Sequence, residues 1–339
     1  MKVLITGATA PLGGALVDHL LAERDVELVL AVGRDPAPAL PAGPRLVYRA
    51  VDMTRPRALH DLVWGEAREL GIDAVVHDML HRSPRDHGSR VHAQNVDAAR
   101  ELVLAATDHP TIRRFVYRSY GEVYALRHST TDLVDEEAPL DFDPSSPQWL
   151  RDRVEADLTV CAHLGGPLRI AVLRCAEVLA PGVGSQLWDY LQSRVCLRPL
   201  GFDPMLNVLS LPDAAAALAL ALRSPATGVF NIPGRDTLPL SAAIEESGRA
   251  DVPVPGPLLA PLYGLRRWVA GFEFRYGMNV RRFHFGGVLD GSRARTQLGF
   301  VPHTPVRWPR PWWRLLLERL GAREAPPARG RFGTIPPSE

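Results

Sequence analysis

The stretch Thr6-Gly7-Ala8-Thr9-Ala10-Pro11-Leu12-Gly13-Gly14 decides the fold of this chain, and it follows the short apolar run Val3–Thr6. A strand, a glycine-containing turn and a helix start form an anion site. The unpaired backbone N–H groups and the positive end of the helix dipole face the turn. Gly7 permits the tight turn, and Gly13 lets the helix approach the strand closely. The stretch therefore predicts a phosphate-binding turn that opens a βαβ unit.

Outward from this turn, strand-like apolar runs alternate with helical stretches through the first half of the chain. The later strands are predicted at 27–32, 46–49, 73–77, 114–117 and 169–173, with helices at about 12–22, 57–70, 91–106 and 148–163. This alternation implies right-handed crossovers and an α/β fold with a Rossmann-like doubly wound parallel sheet. At 339 residues, the chain has room for a smaller C-terminal α/β domain as well.

The charge balance excludes several classes of function. The formal net charge is +1, whereas nucleic-acid binders usually carry a basic excess, so we expect no nucleic-acid partner. Lys and Arg together number 39, and Lys2 is the single lysine. A Schiff-base lysine or a P-loop lysine in the interior is therefore impossible. The same skew toward arginine suggests a GC-rich bacterial genome.

The cysteines and the apolar runs indicate the compartment. Cys161, Cys175 and Cys196 have no metal-ligand spacing, so we expect free thiols in a reducing environment and no metal site. No run reaches the roughly 18 apolar residues of a membrane span. Glycines interrupt the apolar start of the chain, which argues against a signal peptide. These features predict a cytoplasmic protein.

The pattern Thr6-Gly7-x-x-Ala10-x-x-Gly13 resembles the TGxxGxxG turn of the extended short-chain dehydrogenases/reductases, the NAD(P)-dependent epimerase/dehydratase family. Ala10 replaces the middle glycine. Other segments resemble that family in the same order along residues 1–305. They are Asp52-Met53-Thr54, Val75-Val76-His77, Asn95, Phe115 to Tyr124, Leu173 to Gly182, Asp213, Asn231-Ile232 and Leu298-Gly299-Phe300-x-Pro302. Each segment is weak alone, and their common order carries the resemblance.

The resemblance implies a division of the chain and a set of cofactor contacts. An NAD(P)-binding Rossmann domain would cover 1–175, with 205–232 returning to it, and a substrate domain would cover 176–204 and 233–321. The Pro-, Arg- and Gly-rich end at 322–339 is predicted to be a mobile tail. The implied cofactor-binding residues are Gly7, Thr9, Ala10, Pro11, Leu12, Gly13, Asp52, Met53 and His77.

The end of the second strand bears on the choice of dinucleotide. An acid that binds the ribose 2′-hydroxyl is expected about 20 residues after the glycines. Gly33 occupies that place, and Arg34 follows it. Since a guanidinium suits a 2′-phosphate, we predict NADP as the cofactor, with NAD as the second choice. In the alternative, Arg34 is a solvated surface residue and Asp35 binds the ribose of NAD.

The family's Tyr-x-x-x-Lys pair is replaced in this chain. Aligning Asp157 with the family's Glu beyond that pair places Trp149 at the Tyr and Arg153 at the Lys. Residues i and i+4 share a helix face, so both are predicted to face the cofactor. Arg153 retains the positive charge, but neither side chain can exchange a proton near neutral pH.

Another group must then carry the proton, and the resemblance points to the F-V-x-x-S-S-x-x-V-Y segment. Ser119, Tyr120 and Tyr124 are the candidates there, with Arg153 as the supporting cation. A phenol has a pKa of about 10 and needs a nearby cation to act as a base near neutrality. The alternative, that Tyr120 only fills the space of a missing substrate, stays open. A proton-shuttling role for His77 is also left open against a structural one.

Two main functional hypotheses follow. The first is an NADP(H)-dependent oxidoreductase or epimerase with non-standard proton transfer, acting on a nucleotide sugar or on another phosphorylated or carbonyl compound. The second is a non-catalytic dinucleotide-binding sensor or complex partner. The basic, aromatic stretch 309–320 could form a helix that lies on a membrane surface or one that docks on the protein body. The family's helix-paired homodimer is a further expectation.

Overall fold

The structure is a computed structural model that describes residues 1–81, 86–126, 133–270 and 274–309, with the backbone alone described at 267–270. The predicted helix at 309–320 lies outside these residues apart from Pro309, and so does the predicted tail at 322–339. Within the described ranges, no helix has both the length and the apolar character that crossing a membrane requires.

The core of the fold is a seven-stranded parallel sheet in the order β3-β2-β1-β4-β5-β7-β11. The strands are β1 (Lys2–Thr6), β2 (Leu28–Gly33), β3 (Leu46–Ala50), β4 (Ala74–His77), β5 (Arg114–Tyr120), β7 (Arg169–Cys175) and β11 (Gly228–Ile232). The strand order reverses between β1 and β4, and ligands bind outside the carboxyl ends of strands at such a switch point. The prediction of a Rossmann-like doubly wound α/β fold is confirmed.

Helices cover both faces of this sheet and continue into the second half. They are α1 (Pro11–Ala22), α2 (Pro56–Asp61), α3 (Arg68–Leu70), α4 (Ser89–His92), α5 (Ala98–Thr107), α6 (Gln148–Cys161), α7 (Gln186–Leu191), α8 (Leu211–Arg223), α9 (Leu240–Glu246), α10 (Gly256–Ala270), α11 (Tyr276–His284) and α12 (Ser292–Leu298). Turns of π-helix at 62–67 and 93–97 join α2 to α3 and α4 to α5. Pro11 begins α1, where its fixed φ suits a first helical turn.

Side chains alternate between the two faces of the sheet along each strand, and each face contributes to its own hydrophobic core. In β1, Val3 and Ile5 pack into the cluster beneath α1 and α8, whereas Leu4 packs into the cluster beneath α5 and α6. Successive strand residues point to opposite faces, so a strand buried on both faces is a continuous apolar run. This is why the phosphate turn at the end of β1 rests on a rigid base.

The second part of the chain adds small sheets above the carboxyl ends of β5 and β7. These are β8 (Glu177–Val178) with β10 (Met205–Leu209) and β12 (Asp236–Pro239), β9 (Val195–Pro199) with β13 (Ala250–Val254), and β6 (Leu133–Val134) with β14 (Val288–Leu289). A third core here contains Tyr190, Tyr263, Phe274 and Phe283. Of the segment 205–232, α8 and β11 return to the main sheet, while β10 pairs with β8 and β12.

Candidate active site

The phosphate turn has the tight geometry that its two glycines predict. Gly7 has φ +75°, and a Cβ there would lie 2.6 Å from the carbonyl oxygen of Asp78. A Cβ at Gly13 would lie 2.2 Å from the carbonyl oxygen of Gly7. The amide of Ala10 donates to that same oxygen at 2.8 Å, which closes the turn. Both glycines are therefore required by close backbone contacts across the turn.

Beside this turn lies a cavity of about 230 Å³, which we call the turn cavity. Five of the predicted cofactor residues line it, namely Gly7, Thr9, Ala10, Arg34 and Met53. Pro11 and Leu12 line a much smaller cavity of about 20 Å³ next to it. The structure thus brings the turn, the end of β2 and the start of the α2 region together, as a dinucleotide-binding site requires.

Gly33, in the place of the ribose-binding acid, has a local structural reason. A Cβ there would lie 2.5 Å from Thr9 Cγ2 and 2.8 Å from Thr9 Oγ1. Arg34 follows at the exposed rim, where its Nη1 donates to Gln94 Oε1 at 3.1 Å. Asp35 Oδ1 accepts from the amide of Ala37 at 3.0 Å. The guanidinium of Arg34 therefore lies at the rim of the turn cavity. At position 33, any side chain would clash with Thr9 in its present position.

Asp52 and Met53 take different positions at this end. Met53 is buried and lines the turn cavity. Asp52 Oδ1 accepts from Thr54 Oγ1 at 2.7 Å and from the Thr54 amide at 3.2 Å. The hydrogen bond from the Thr54 hydroxyl is the main cause that lowers the pKa of Asp52. Asp52 thus shapes the loop, and Met53 offers an apolar surface to the cavity.

His77 does not take the cofactor or proton-shuttle role suggested for it. Its side chain is 0% exposed and stacks on Tyr117 at a ring separation of 5.8 Å. Nδ1 lies 2.7 Å from Thr6 Oγ1 on the neighbouring strand. Burial lowers the pKa of His77 to about 4, so the imidazole is neutral at physiological pH. The structure therefore corrects this prediction to a structural histidine between two strands.

Four side chains stack at the other end of the groove, and we call Trp149, Arg153, Tyr120 and Arg118 the stacked column. The Arg153 guanidinium lies 3.6 Å from the Trp149 ring centre and 3.9 Å from that of Tyr120. Arg118 covers Tyr120 at 3.9 Å and donates a hydrogen bond to its hydroxyl. Guanidiniums stack well on aromatic faces when both are desolvated. The predicted pair on α6, Trp149 and Arg153, therefore faces Tyr120 on β5.

Tyr120 is not activated as a base by its two cations. The side chain is 5% exposed, and burial raises the pKa of its phenol. The charges of Arg118 and Arg153 act in the opposite direction, but the pKa still rises to about 12. The phenol therefore stays protonated near neutral pH, which disfavours a role as a base and leaves its role as an acid a prediction.

Ser119 and Tyr124 are held by buried protein groups, and Tyr124 also lines the substrate cavity described below, so their catalytic role stays a prediction. Ser119 is 0% exposed and donates to Asp157 Oδ2, a carboxylate that also forms a two-point ion pair with Arg174. Tyr124 donates to Asn231 Oδ1 at 2.7 Å and accepts from Arg174 Nη1 at 3.1 Å. Burial raises the pKa of Tyr124 to about 12. Both hydroxyls thus belong to a structural network that ties α6 to the main sheet.

The sequence analysis missed Glu122, which lies two residues beyond the end of β5. Its carboxylate lies 3.1 Å from Arg153 Nη1 and 3.8 Å from Arg282 Nη1. Burial raises the pKa of Glu122. The charges of Arg153, Arg282 and Arg118 together lower it by more, so the pKa lies below its ordinary value. The geometry at Arg153 is an ion contact without a hydrogen bond, and Glu122 Oε2 has no hydrogen-bond partner among the described residues. An ionised carboxylate whose Oε2 is buried and in ion contact with Arg153 therefore lies at the end of the column.

A larger cavity of about 290 Å³, which we call the substrate cavity, lies beyond Glu122. It opens above the carboxyl ends of β5 and β7, between Trp149, Glu177 on β8, Leu206 on β10 and residues 277–282 of α11. The described residues that line it include none that line the turn cavity. Arg118 and Tyr120 line the 20 Å³ space that remains next to the turn. The column thus lies between the two cavities.

Comparison with protein families and curated proteins identifies relatives of the chain. A family model described as the NAD dependent epimerase/dehydratase family matches residues 3–232. An uncharacterised protein of Mycobacterium tuberculosis is 31% identical over 310 residues, which cover 88% of this chain and 80% of that protein. The uncharacterised protein YbjS of Escherichia coli is 24% identical over 328 residues, which cover 89% and 93%.

Solved structures share the fold at low identity. UDP-glucuronic acid 4-epimerase from Bacillus cereus, solved with NAD, has a TM-score of 0.66 at 17% identity and covers 90% of this chain and 94% of that one. A dTDP-glucose 4,6-dehydratase from Bacillus anthracis, also solved with NAD, has a TM-score of 0.65 at 16% identity, with 90% and 92% covered.

Proposed function

Because the chain belongs to the NAD-dependent epimerase/dehydratase family, a family of enzymes, we propose that it is an NADP(H)-dependent oxidoreductase or epimerase. The main support for this proposal is the turn cavity, which is lined by Gly7, Thr9, Ala10, Arg34 and Met53. A dinucleotide would lie with its pyrophosphate on the turn and its nicotinamide toward the stacked column. A small-molecule substrate would occupy the substrate cavity.

The preference for NADP over NAD rests on Arg34 and Gly33. Arg34 lies at the rim of the turn cavity, where its permanent charge and paired donors suit a 2′-phosphate. A side chain that could bind a 2′-hydroxyl is excluded at position 33 by Thr9. NAD stays the second choice, since Asp35 is next in sequence.

Glu122, rather than Tyr120, is the proton-accepting group in this proposal. The nicotinamide, when bound, would supply or accept the hydride. As a substrate hydroxyl is oxidised, its O–H proton would pass to the Glu122 carboxylate, which the neighbouring arginines keep ionised and also make a weaker base. Arg153 is then a positioning residue, because it holds Glu122 at 3.1 Å and stacks on Trp149 and Tyr120. Reduction would run the same proton transfer in reverse.

The test compares Glu122→Gln with Tyr120→Phe. Glu122→Gln keeps the shape but removes the base, so turnover of NADPH with an active member of a carbonyl panel should fall about 100-fold or more. Tyr120→Phe keeps the ring between two guanidiniums and should retain turnover within about fivefold. Binding of NADPH, followed by quenching of tryptophan fluorescence, should be unchanged in both variants.

Two results would contradict the proposal. Equal turnover in Glu122→Gln and the unmodified protein would remove Glu122 as the proton acceptor. Failure of the unmodified protein to bind either NADPH or NADH would remove the whole cofactor-dependent function and leave only the fold.

A second candidate function is a dinucleotide-binding protein without turnover. It is favoured by the stacked column, which leaves about 20 Å³ between the turn and Tyr120. Hydride exchange between NADPH and any carbonyl compound of the panel would decide against it. The homodimer and the membrane contact at 309–320 stay predictions.

A further inference from the structure

The wall of the substrate cavity combines apolar and charged side chains. Side chains on four separate segments contribute to it, among them Leu126, Leu150, Leu206, Met278 and Phe285. Apolar side chains of this kind hold ligands mainly through surface removed from water. The question that decides the substrate class is whether the charged groups of the same cavity are available to an anion.

Arg281, the first cation of the cavity, is neutralised by two carboxylates. Its Nη1 donates to Asp141 Oδ2 at 2.5 Å, and its Nη2 donates to Asp143. Asp141 is itself buried and lines the cavity. Burial lowers the pKa of Arg281, but the hydrogen bonds and charges of the two aspartates raise it overall. A phosphate at this guanidinium would have to displace a buried carboxylate or share the cation with it.

Arg282, the second cation, is neutralised in the same way. Its Nη1 contacts Glu177 and lies 3.8 Å from Glu122. Glu177 Oε1 also accepts from Ser185 and from the amide of Leu187, which holds the carboxylate against β8. The guanidinium therefore has two fixed carboxylates and little positive potential left for a ligand.

Three polar donors of the cavity are engaged as well, whereas the indole N–H of Trp149 has no hydrogen-bond partner among the described residues. Asn207 Nδ2 donates to the carbonyl of Gly234 at 3.0 Å, and Asn279 Nδ2 donates to Gln186 Oε1 at 3.2 Å. Ser146 Oγ donates to Asp141 at 3.1 Å. Among the described residues that line the cavity, the carboxylates of Glu122, Asp141 and Glu177 outnumber the two guanidiniums. With Arg153 at 3.1 Å from Glu122, each carboxylate of the wall has a guanidinium partner, so no unpaired positive charge is left for a diphosphate.

We propose that the substrate is an uncharged, largely apolar carbonyl or hydroxyl compound and not a nucleoside diphosphate sugar. This inference rests on the proposed function, in which the substrate cavity holds the molecule that exchanges a proton with Glu122. A neutral ligand leaves every ion pair of the wall intact and buries apolar surface on both sides.

The test uses N-phenyl-1-naphthylamine, an uncharged probe whose fluorescence increases in apolar surroundings, with the full-length protein. Saturable enhancement is expected, together with competition by an aliphatic ketone such as undecanone. UDP and UDP-glucose at millimolar concentration should neither displace the probe nor raise the melting temperature. Displacement by UDP would place a diphosphate in the cavity and overturn the proposal, as would the absence of saturable probe binding.

Variants of the protein test whether the probe binds in the substrate cavity. Met278→Trp fills it and should weaken probe binding at least tenfold, whereas Leu104→Trp adds the same ring at an exposed position of α5 and should leave binding unchanged. The chain has seven tryptophans, and Trp149 lines the cavity, so Trp149→Phe should remove the largest single share of the energy transfer from tryptophan to the probe. This tests the location even if Met278→Trp does not fold. Unchanged binding and transfer in these variants would contradict the assignment.

The cofactor proposal is tested separately in the same preparations. NADPH that fails to bind while the neutral probe binds would contradict the proposed function and leave the apolar cavity in place. NADPH that binds while UDP-glucose displaces the probe would contradict only the substrate class.

Discussion

The two ends of the predicted cofactor groove are built on different principles. At the turn end, the site consists mainly of backbone: Gly7 and Gly13 allow close contacts, and the cavity beside them is about 230 Å³. At the other end, Trp149, Arg153, Tyr120 and Arg118 fill the space with stacked side chains. A backbone site follows from a short local sequence, whereas a side-chain site depends on partners from distant elements. The first end resembles the family closely, and the second departs from it.

The largest effect is expected at the column end, in Arg153→Met. Arg153 is 4% exposed, and its removal leaves the buried Glu122 carboxylate with one cation fewer and two aromatic rings without their guanidinium. Breaking a buried ion pair typically costs about 3–5 kcal/mol, so we expect about 4 kcal/mol less free energy of unfolding. Urea unfolding measures it.

Arg151→Met is the matched control on the same helix, because Arg151 is exposed. Its effect should be about 0.5 kcal/mol or less. Equal losses in the two variants would mean that the column does not depend on the buried guanidinium.

The next effect concerns His77, which lies beneath the turn end. Its pKa in the folded protein is about 4, below its ordinary value of 6.5, because burial favours the neutral form. Between these pH values the unfolded chain binds the proton first, so stability is complete above pH 6.5 and is lost as the pH falls toward about 4. At about 1.4 kcal/mol per pH unit, the loss is about 3 kcal/mol.

Chemical denaturation at a series of pH values measures this loss. His77→Gln has no titrating group, so its stability should vary less with pH over that window. The same change at the exposed His60 should leave the pH dependence as it is. An unchanged pH dependence in His77→Gln would contradict the buried neutral imidazole.

A smaller effect is expected at the turn, in Gly13→Ala. The added methyl would lie 2.2 Å from the Gly7 carbonyl oxygen, so the helix must move away from the strand. We expect a loss of about 2 kcal/mol in stability and weaker NADPH binding. Thermal unfolding and fluorescence titration measure the two effects.

Gly14→Ala is the neighbouring control, since its methyl would meet only the Ala8 carbonyl oxygen at 3.8 Å. An alanine in a helix gains about 0.5–1 kcal/mol over glycine, so this variant should be neutral or more stable. If both variants behave alike, the close helix approach is not what the turn requires.

The smallest effect separates the two dinucleotides. Arg34→Ala should weaken NADPH about tenfold, or about 1.4 kcal/mol, because it removes the cation beside the predicted 2′-phosphate, and should leave NADH unchanged. Arg24→Ala, at an exposed arginine beyond α1, should change neither affinity. Equal weakening of both dinucleotides by Arg34→Ala would assign Arg34 to a group that they share.

Sequence reasoning succeeded where the signal was local. The turn, the alternation of strands and helices and the i,i+4 placement of Trp149 and Arg153 all follow from short stretches. It did not indicate the hydrogen-bond partners of Ser119, Tyr124 and His77, since Asp157, Asn231 and Thr6 lie 38, 107 and 71 residues away. Each hydroxyl or imidazole that looked available in the sequence is occupied by one of these distant groups.

Glu122 is a residue of the candidate site that sequence reasoning did not find. Its position two residues beyond β5, within a segment that resembles the family, was the signal that could have found it. Nothing near it in sequence indicates that Arg153 from α6 and Arg282 from α11 would meet at its carboxylate. The charge state of the Glu122 carboxylate depends on these two arginines, which only the folded structure brings to it.

The sequence by itself determined the parallel sheet and the phosphate turn, because apolar periodicity and two glycines act through backbone geometry within about ten residues. The tertiary structure alone decided which side chains are neutral, ionised or occupied. Burial raises the pKa of Tyr120 and lowers that of His77, whereas the charges of distant arginines lower the pKa of Glu122. Desolvation and Coulomb interactions depend on which residues surround a group in the folded protein, and these residues are mostly distant in sequence.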